Sequence, residues 1–140
     1  MTAPTLRFRV DFAAECSVGF GKIALLEQIE HTGSLSRAAR AMGMSYRRAW
    51  LLIESLNTGF DQPVLTTSIG GSGGGGATLT PFGREMIARF RTLETKLTAL
   101  TQRHLQSLAR HARTESGAEG RRTGHLARHR IARSVPRTGS

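Results

Sequence analysis

Only one cysteine, Cys16, occurs among the 140 residues. An internal disulfide is therefore excluded and no row of cysteines suggests a zinc framework, so a reducing compartment is the simplest expectation, with Cys16 serving as a small buried apolar residue. Long apolar runs are lacking too. The longest clean aliphatic stretch is Ile23 to Leu26, far short of the roughly 20 residues that cross a bilayer. The opening residues MTAPTLRFRVDF hold no apolar segment of the signal-peptide kind, and the expected location is the cytoplasm. Hydrophobic residues make up 39% of the chain, which predicts one ordinary domain with a small core and some length left over.

Acidic side chains are also scarce. Twenty Lys and Arg against ten Asp and Glu give a formal charge of +10, and the sequence pI is about 11.6, a balance that favours a polyanionic partner. Residues 1–108 carry 12 basic and 8 acidic side chains, whereas residues 109–140 carry 8 and 2. The excess is thus concentrated in the tail, whose Arg, His, Gly, Ser and Thr with few large apolar groups predict disorder. The sparse carboxylates offer no acid/base pair, and no Ser/His/Asp or Cys/His grouping stands out. The run GGSGGGG ends in Ala77-Thr78 rather than in the Gly-Lys-Ser/Thr of a phosphate-binding loop, so a nucleotide site is not expected. His125 and His129 have i, i+4 spacing but lack the glutamate of a zinc-protease motif. The sequence therefore predicts no catalytic residues, no metal and no cofactor.

What is present is a succession of amphipathic segments. Leu6, Phe8, Val10 and Phe12 alternate with Arg7, Arg9 and Asp11, the period of a half-buried strand that needs a partner. Ile23, Leu26 and Ile29, with Leu25 beside them, follow helical spacing until His31-Thr32-Gly33-Ser34 breaks it. Ser34 can cap a second helix whose face is Leu35, Ala38, Ala39 and Met42, and Gly43 suits the left-handed turn that ends it. Met44 would plug that turn into the core, and Ser45 can cap a third helix reaching Leu56 or Asn57. Ala49, Leu52, Ile53 and Leu56 lie on its inner side; Tyr46, Arg47, Trp50 and Glu54 project outward, with Arg48 at the edge.

Val64 to Thr67 and Ala77 to Thr80 flank the glycine loop as two wing strands, and Thr80-Pro81 opens a fourth helix. Met86, Phe90, Leu93, Leu97 and Leu100 recur along that helix with the a/d rhythm of a coiled coil. The seam is short, and the pattern leaves open packing within one chain and pairing between chains.

The order of a small-residue helix, a glycine turn and a serine-capped helix in AARAMGMSYRRAW is that of a helix-turn-helix. The second helix of such a pair stands nearly across the first, so its N-terminus can enter a DNA major groove about 12 Å wide. Arg47 and Tyr46 are then candidates for base edges and Arg48 for bases or phosphates. Ser34, Ser36 and Ser45 are candidate phosphate contacts through hydroxyls and helix N-termini. Trp50 either stacks on the sugar-phosphate edge or closes the core. Gly71, Ser72, Gly73 and Gly74 could lay backbone N–H groups along phosphates or the minor groove, or form a hairpin tip without contacts.

These residues carry a family resemblance. GSLSRAARAMGMSYRRAWLLIESLN followed by GGSGGGGATLTPFG resembles the N-terminal domain of the ModE family of molybdate-responsive transcription regulators, and the helix-turn-helix is also similar to that of LysR-type regulators. The resemblance covers about residues 5–108. It implies a mainly α winged helix-turn-helix with a small β component, dimerising through its long C-terminal helix and placing one recognition helix in each half of a palindromic DNA operator. Ser45, Tyr46, Arg47, Arg48 and Trp50 match the family's recognition-helix motif, and Gly70 to Gly76 with Thr78 match its wing.

The expected division is therefore a DNA-binding domain over 1–108, with its long helix at 81–108, and a basic tail over 109–140. Full-length members of the family continue into paired molybdate-binding domains. Here about 32 low-complexity residues follow the long helix, so a chain without an oxyanion sensor is expected. The function predicted is a homodimeric, nucleoid-associated transcription regulator linked to molybdenum metabolism. A nonspecific nucleic-acid-binding or architectural protein using its basic tail is the alternative, and a module that binds another regulator through the long helix is a third.

Overall fold

Capping chemistry sets where the helical segments begin and end. In the computed structural model, which describes residues 3–68 and 76–113, a strand β1 (Arg9–Ala13) turns at Ala14-Glu15 into β2 (Cys16–Gly19). β2 leads directly into α1 (Phe20–Thr32), α2 (Leu35–Ala41) and α3 (Tyr46–Gly59) follow, a second hairpin joins β3 (Leu65–Ser68) to β4 (Gly76–Leu79), and α4 (Pro81–Ala109) ends the order. The chain divides into two units, Thr5–Thr101 and a second composed of Met1–Pro4 with Gln102–Ser140.

Gly33, at φ +70°, closes α1 with its N–H on the carbonyl of Ile29 at 2.7 Å. The Ser34 side chain accepts from the Arg37 N–H at 3.2 Å and starts α2, as the sequence predicts. Gly43 adopts φ +67° in the turn, a conformation that a side chain would strain. Met44 then lies half-buried against the core. Ser45 starts α3 by accepting from the Arg48 N–H at 3.1 Å.

The core of the Thr5–Thr101 unit is built by Ile23, Leu25, Leu26 and Ile29 of α1, Leu35, Ala38 and Ala39 of α2, Ala49, Ile53 and Leu56 of α3, and Val64, Leu65, Ala77, Leu79 and Phe90. Each fully enclosed aliphatic side chain contributes roughly 1.5–3 kcal/mol. The small alanines let α2 and α3 approach closely. In the second hairpin Leu65 faces Leu79 across an antiparallel pair, both buried, while Thr66 faces Thr78, both exposed.

Two features differ from the sequence expectation. The first strand is Arg9–Ala13 rather than Leu6 to Phe12, and its partner is Cys16–Gly19. Phe8 leaves the strand to stack on Phe90 at 4.7 Å and meet Phe20 edge-on at 5.1 Å. A second trio, Phe12, Phe60 and Phe82, joins through contacts of 5.3 and 5.5 Å. All six phenylalanines of the chain therefore serve to fasten the first part of α4 and the first hairpin to the body.

The start of α4 is fixed by Thr80, whose hydroxyl accepts from the Gly83 N–H at 3.0 Å and donates to the Pro63 carbonyl at 2.6 Å. A Cβ at Gly83 would lie 2.3 Å from the Val64 carbonyl oxygen, so only glycine allows this approach. Arg91 adds a fork onto Glu27 of α1 at 2.5 and 3.2 Å and reaches Glu94 at 2.9 Å. These hydrogen bonds, to Glu27 first and then Glu94, raise the guanidinium further above its ordinary range. Gln102 onward forms the last turns of α4, where Leu105 and Leu108 are exposed.

Candidate nucleic-acid interface

α3 owes its two-sidedness to the spacing of Ala49, Ile53 and Leu56, which bury one face and turn Tyr46, Arg47, Trp50 and Glu54 to the other. Tyr46 is 57% exposed and Trp50 46% exposed. The indole, for which the sequence left open a core or a surface position, is on the surface. Arg47, Arg48 and Ser45 are exposed as well. Since Ser45 holds the first turn, a phenol and two guanidinium groups stand at the N-terminal end of a helix whose free N–H groups favour negative charge.

Arg47 and Arg48 take part in none of the ion pairs found among the described residues, which involve Arg9, Arg89 and Arg91. Their charge is uncommitted. Beside them runs a groove of about 450 Å³ lined by Lys22, Ser45, Arg47, Arg48, Leu51, Leu52 and Ser55. Lys22, at the start of α1, donates to the Ser17 carbonyl at 2.8 Å. Burial pushes its pKa below the ordinary lysine value, with Cys16 opposing and Arg9 adding to that shift.

The wing base is brought to the N-terminus of α2. The Ala77 N–H donates to the Gly33 carbonyl at 2.9 Å, so β4 lies next to the residue that precedes the Ser34 cap. Ser36 is exposed in the first turn of α2 and Thr78 is exposed on β4. Opposite Thr78, Thr66 is exposed and its hydroxyl donates to the Thr78 carbonyl at 3.4 Å. Gly71, Ser72, Gly73 and Gly74, expected at the wing tip, lie outside the described residues, as does the tail beyond residue 113.

Two exposed residues on this side were not singled out by the sequence. Leu51, 47% exposed, was hidden inside the apolar run LLI of α3; its position one turn after Arg47 would have assigned it to the outer face. Thr66 carried no signal until the hairpin register was known.

Residues 20–84 match the family of bacterial regulatory helix-turn-helix proteins of lysR type. The match runs from the start of α1 into the first turn of α4. Over 91 residues the chain is 41% identical to the molybdenum-pterin-binding protein MopB of Rhodobacter capsulatus, covering 65% of the chain and 34% of that protein. It is 45% identical over 74 residues to the transcriptional regulator ModE of Yersinia pestis, covering 53% and 28%. The DNA-binding transcriptional dual regulator ModE of Escherichia coli is 38% identical over 72 residues, covering 51% and 28%.

The chain thus spans about a third of the length of the curated relatives it matches. A crystal structure of a LysR family transcriptional regulator superposes with a TM-score of 0.50 at 16% identity, over 68% of this chain and 31% of that one, a likeness that shows the fold. The resemblance read from SYRRAW and the glycine run is borne out by these matches, and the fold is the winged helix-turn-helix with a long C-terminal helix that it implied. No described helix is long and apolar enough to cross a membrane.

Proposed function

We propose that this protein is a sequence-specific DNA-binding transcription regulator tied to molybdenum, acting in the cytoplasm as a homodimer on a palindromic operator, and not an enzyme. The observation that carries the proposal is the outer face of α3, where Tyr46, Arg47, Arg48 and Trp50 are exposed behind the Ser45 cap and the two guanidinium groups pair with no described carboxylate. Set in the major groove, Arg47 would form a bidentate pair with a guanine, a contact that discriminates by about 1–3 kcal/mol. Arg48 and Ser45 would hold phosphates and fix the register, joined by Ser34 and Ser36 at the start of α2 and by Thr78 on the wing. The link to molybdenum rests on the relatives named ModE, MopA and MopB.

Dimerisation through α4 is supported by Leu93 and Leu100, which recur at coiled-coil spacing and are 38% and 45% exposed in the single chain. Leu93 also borders an apolar cleft of about 380 Å³ between the first hairpin and α4, lined by Val10, Phe12, Phe60, Phe82 and Met86. A second copy laying its own α4 along this seam would cover both.

The test is selection of bound fragments from random duplex DNA, with and without molybdate. A two-fold symmetric consensus is expected, and recovery of unrelated sequences would refute the reading. A nonspecific nucleic-acid-coating function is favoured by one observation, the concentration of basic residues in 109–140. Removing residues 110–140 separates the two: a coating protein loses binding altogether, whereas the operator-binding protein keeps its consensus and loses affinity uniformly.

A further inference from the structure

We infer that Leu51 is a base-reading residue, contacting the C5-methyl group of a thymine in the major groove. The inference rests on the DNA-binding reading of α3 and adds to it the kind of base that the apolar part of this face recognises. On α3 the apolar residues Ala49, Ile53 and Leu56 are buried and Leu52 is partly buried against the core. Leu51 alone among the aliphatic residues of the helix is turned out, at 47% exposure. Packing within the unit does not require it there.

Its surroundings identify what it faces. Leu51 lines the groove with Lys22, Arg47 and Arg48 as the charged members, all of them cations, and with the hydroxyls of Ser45 and Ser55, of which that of Ser55 donates to the Leu52 carbonyl at 2.7 Å. A protein surface seated here would have to bring its own negative charge around an apolar knob. Duplex DNA carries that arrangement already: phosphates line the groove edges, and its floor presents one large apolar group, the thymine methyl, which is read by apolar side-chain contact. Leu51 lies four residues beyond Arg47, one turn further along the same side of the helix and about 6 Å along its axis. A base pair next to or one beyond the one that Arg47 reads is therefore within its reach.

The experiment is a protein-by-DNA cycle on the duplex selected by the wild-type protein. Each thymine of one half-site is replaced in turn by deoxyuridine, which removes only the C5-methyl, and affinities are measured by fluorescence anisotropy at fixed salt for the wild type and for Leu51→Ala. Because Leu51 is exposed, the alanine variant is expected to melt with the wild type, and Leu51→Met serves as a second variant that keeps an apolar chain of similar reach. At one thymine the wild type and Leu51→Met are expected to lose about fourfold in affinity on removal of the methyl, the value of one buried methyl-sized group, while Leu51→Ala loses nothing there. Equal responses of wild type and Leu51→Ala at every thymine would overturn the inference and leave operator binding intact, pointing to a protein partner for this face. Failure of the wild type to select any duplex would overturn the inference together with the reading on which it rests.

Discussion

α3 and the portion of α4 up to Thr101 are both amphipathic helices that bury one side in the same body, yet their outer faces differ in kind. Two cations of α4 are spent on carboxylates, Arg89 on Glu85 at 2.8 Å and Arg91 on Glu27 and Glu94; Arg84 donates to the Leu79 carbonyl at 3.1 Å, and Lys96 is in no ion pair among the described residues. What that helix leaves uncovered is leucine, at Leu93 and Leu100. On α3 the cations Arg47 and Arg48 are unspent among the described residues, and the exposed large side chains Tyr46 and Trp50 combine an apolar body with a polar tip. Uncommitted positive charge at a helix N-terminus suits an outside polyanion, and a seam of exposed leucines suits another apolar helix. The difference supports the proposal that DNA meets one helix and a second copy the other.

That contrast can be broken at its foundation by loosening α4. Phe90→Ala removes the ring that stacks on Phe8 and meets Phe20 edge-on at 5.2 Å, and urea unfolding is expected to show a loss of about 3–5 kcal/mol. Gly83→Ala drives a Cβ into the Val64 carbonyl and is expected to cost about 1–3 kcal/mol by the same measurement. Unchanged unfolding midpoints would mean that α4 is not fastened as described.

The two outer faces are then sharpened separately. Arg47→Ala is expected to lower operator affinity by about 1–3 kcal/mol and relax preference at one base pair. Leu100→Asp should weaken self-association at least about tenfold in sedimentation equilibrium, because a carboxylate in a coiled-coil seam must be desolvated, while monomeric fold by circular dichroism stays unchanged. The smallest effect belongs to Arg89→Ala, whose exposed pair with Glu85 contributes under about 1 kcal/mol. Its operator preference should equal that of the wild type. A base-preference change from Arg89→Ala as large as that from Arg47→Ala would erase the distinction between the helices.

Much of this arrangement was legible in the sequence because it depends on local chemistry. Ser34, Ser45 and Thr80 cap the helices they were expected to cap, Gly33 and Gly43 take the positive φ that ends a helix or turns the chain, and the apolar period of α3 foretold that Tyr46, Arg47, Trp50 and Glu54 face outward. The aromatic scaffold was not legible. Phe8 and Phe12 carried a strand period and Phe90 a helical one, but no spacing says which of the six rings meet, because their pairing is set by tertiary packing between elements far apart in the chain. The same holds for the partner of β1, since CSVG is too short and too polar to announce a strand, and its burial comes from the body against which it rests. Leu51 escaped for the opposite reason: a continuous apolar run reads as core, and only the helix phase separates its outward member from Ile53.

The most direct test of the claim that the N-terminal face of α3 reads base edges is dimethyl sulfate protection of guanine N7 on the selected operator, comparing wild type with Arg47→Ala at concentrations that saturate both. One guanine in each half-site is expected to be protected by the wild type and to become reactive with Arg47→Ala, while the rest of the footprint persists. Identical protection at every guanine for the two proteins would contradict the account.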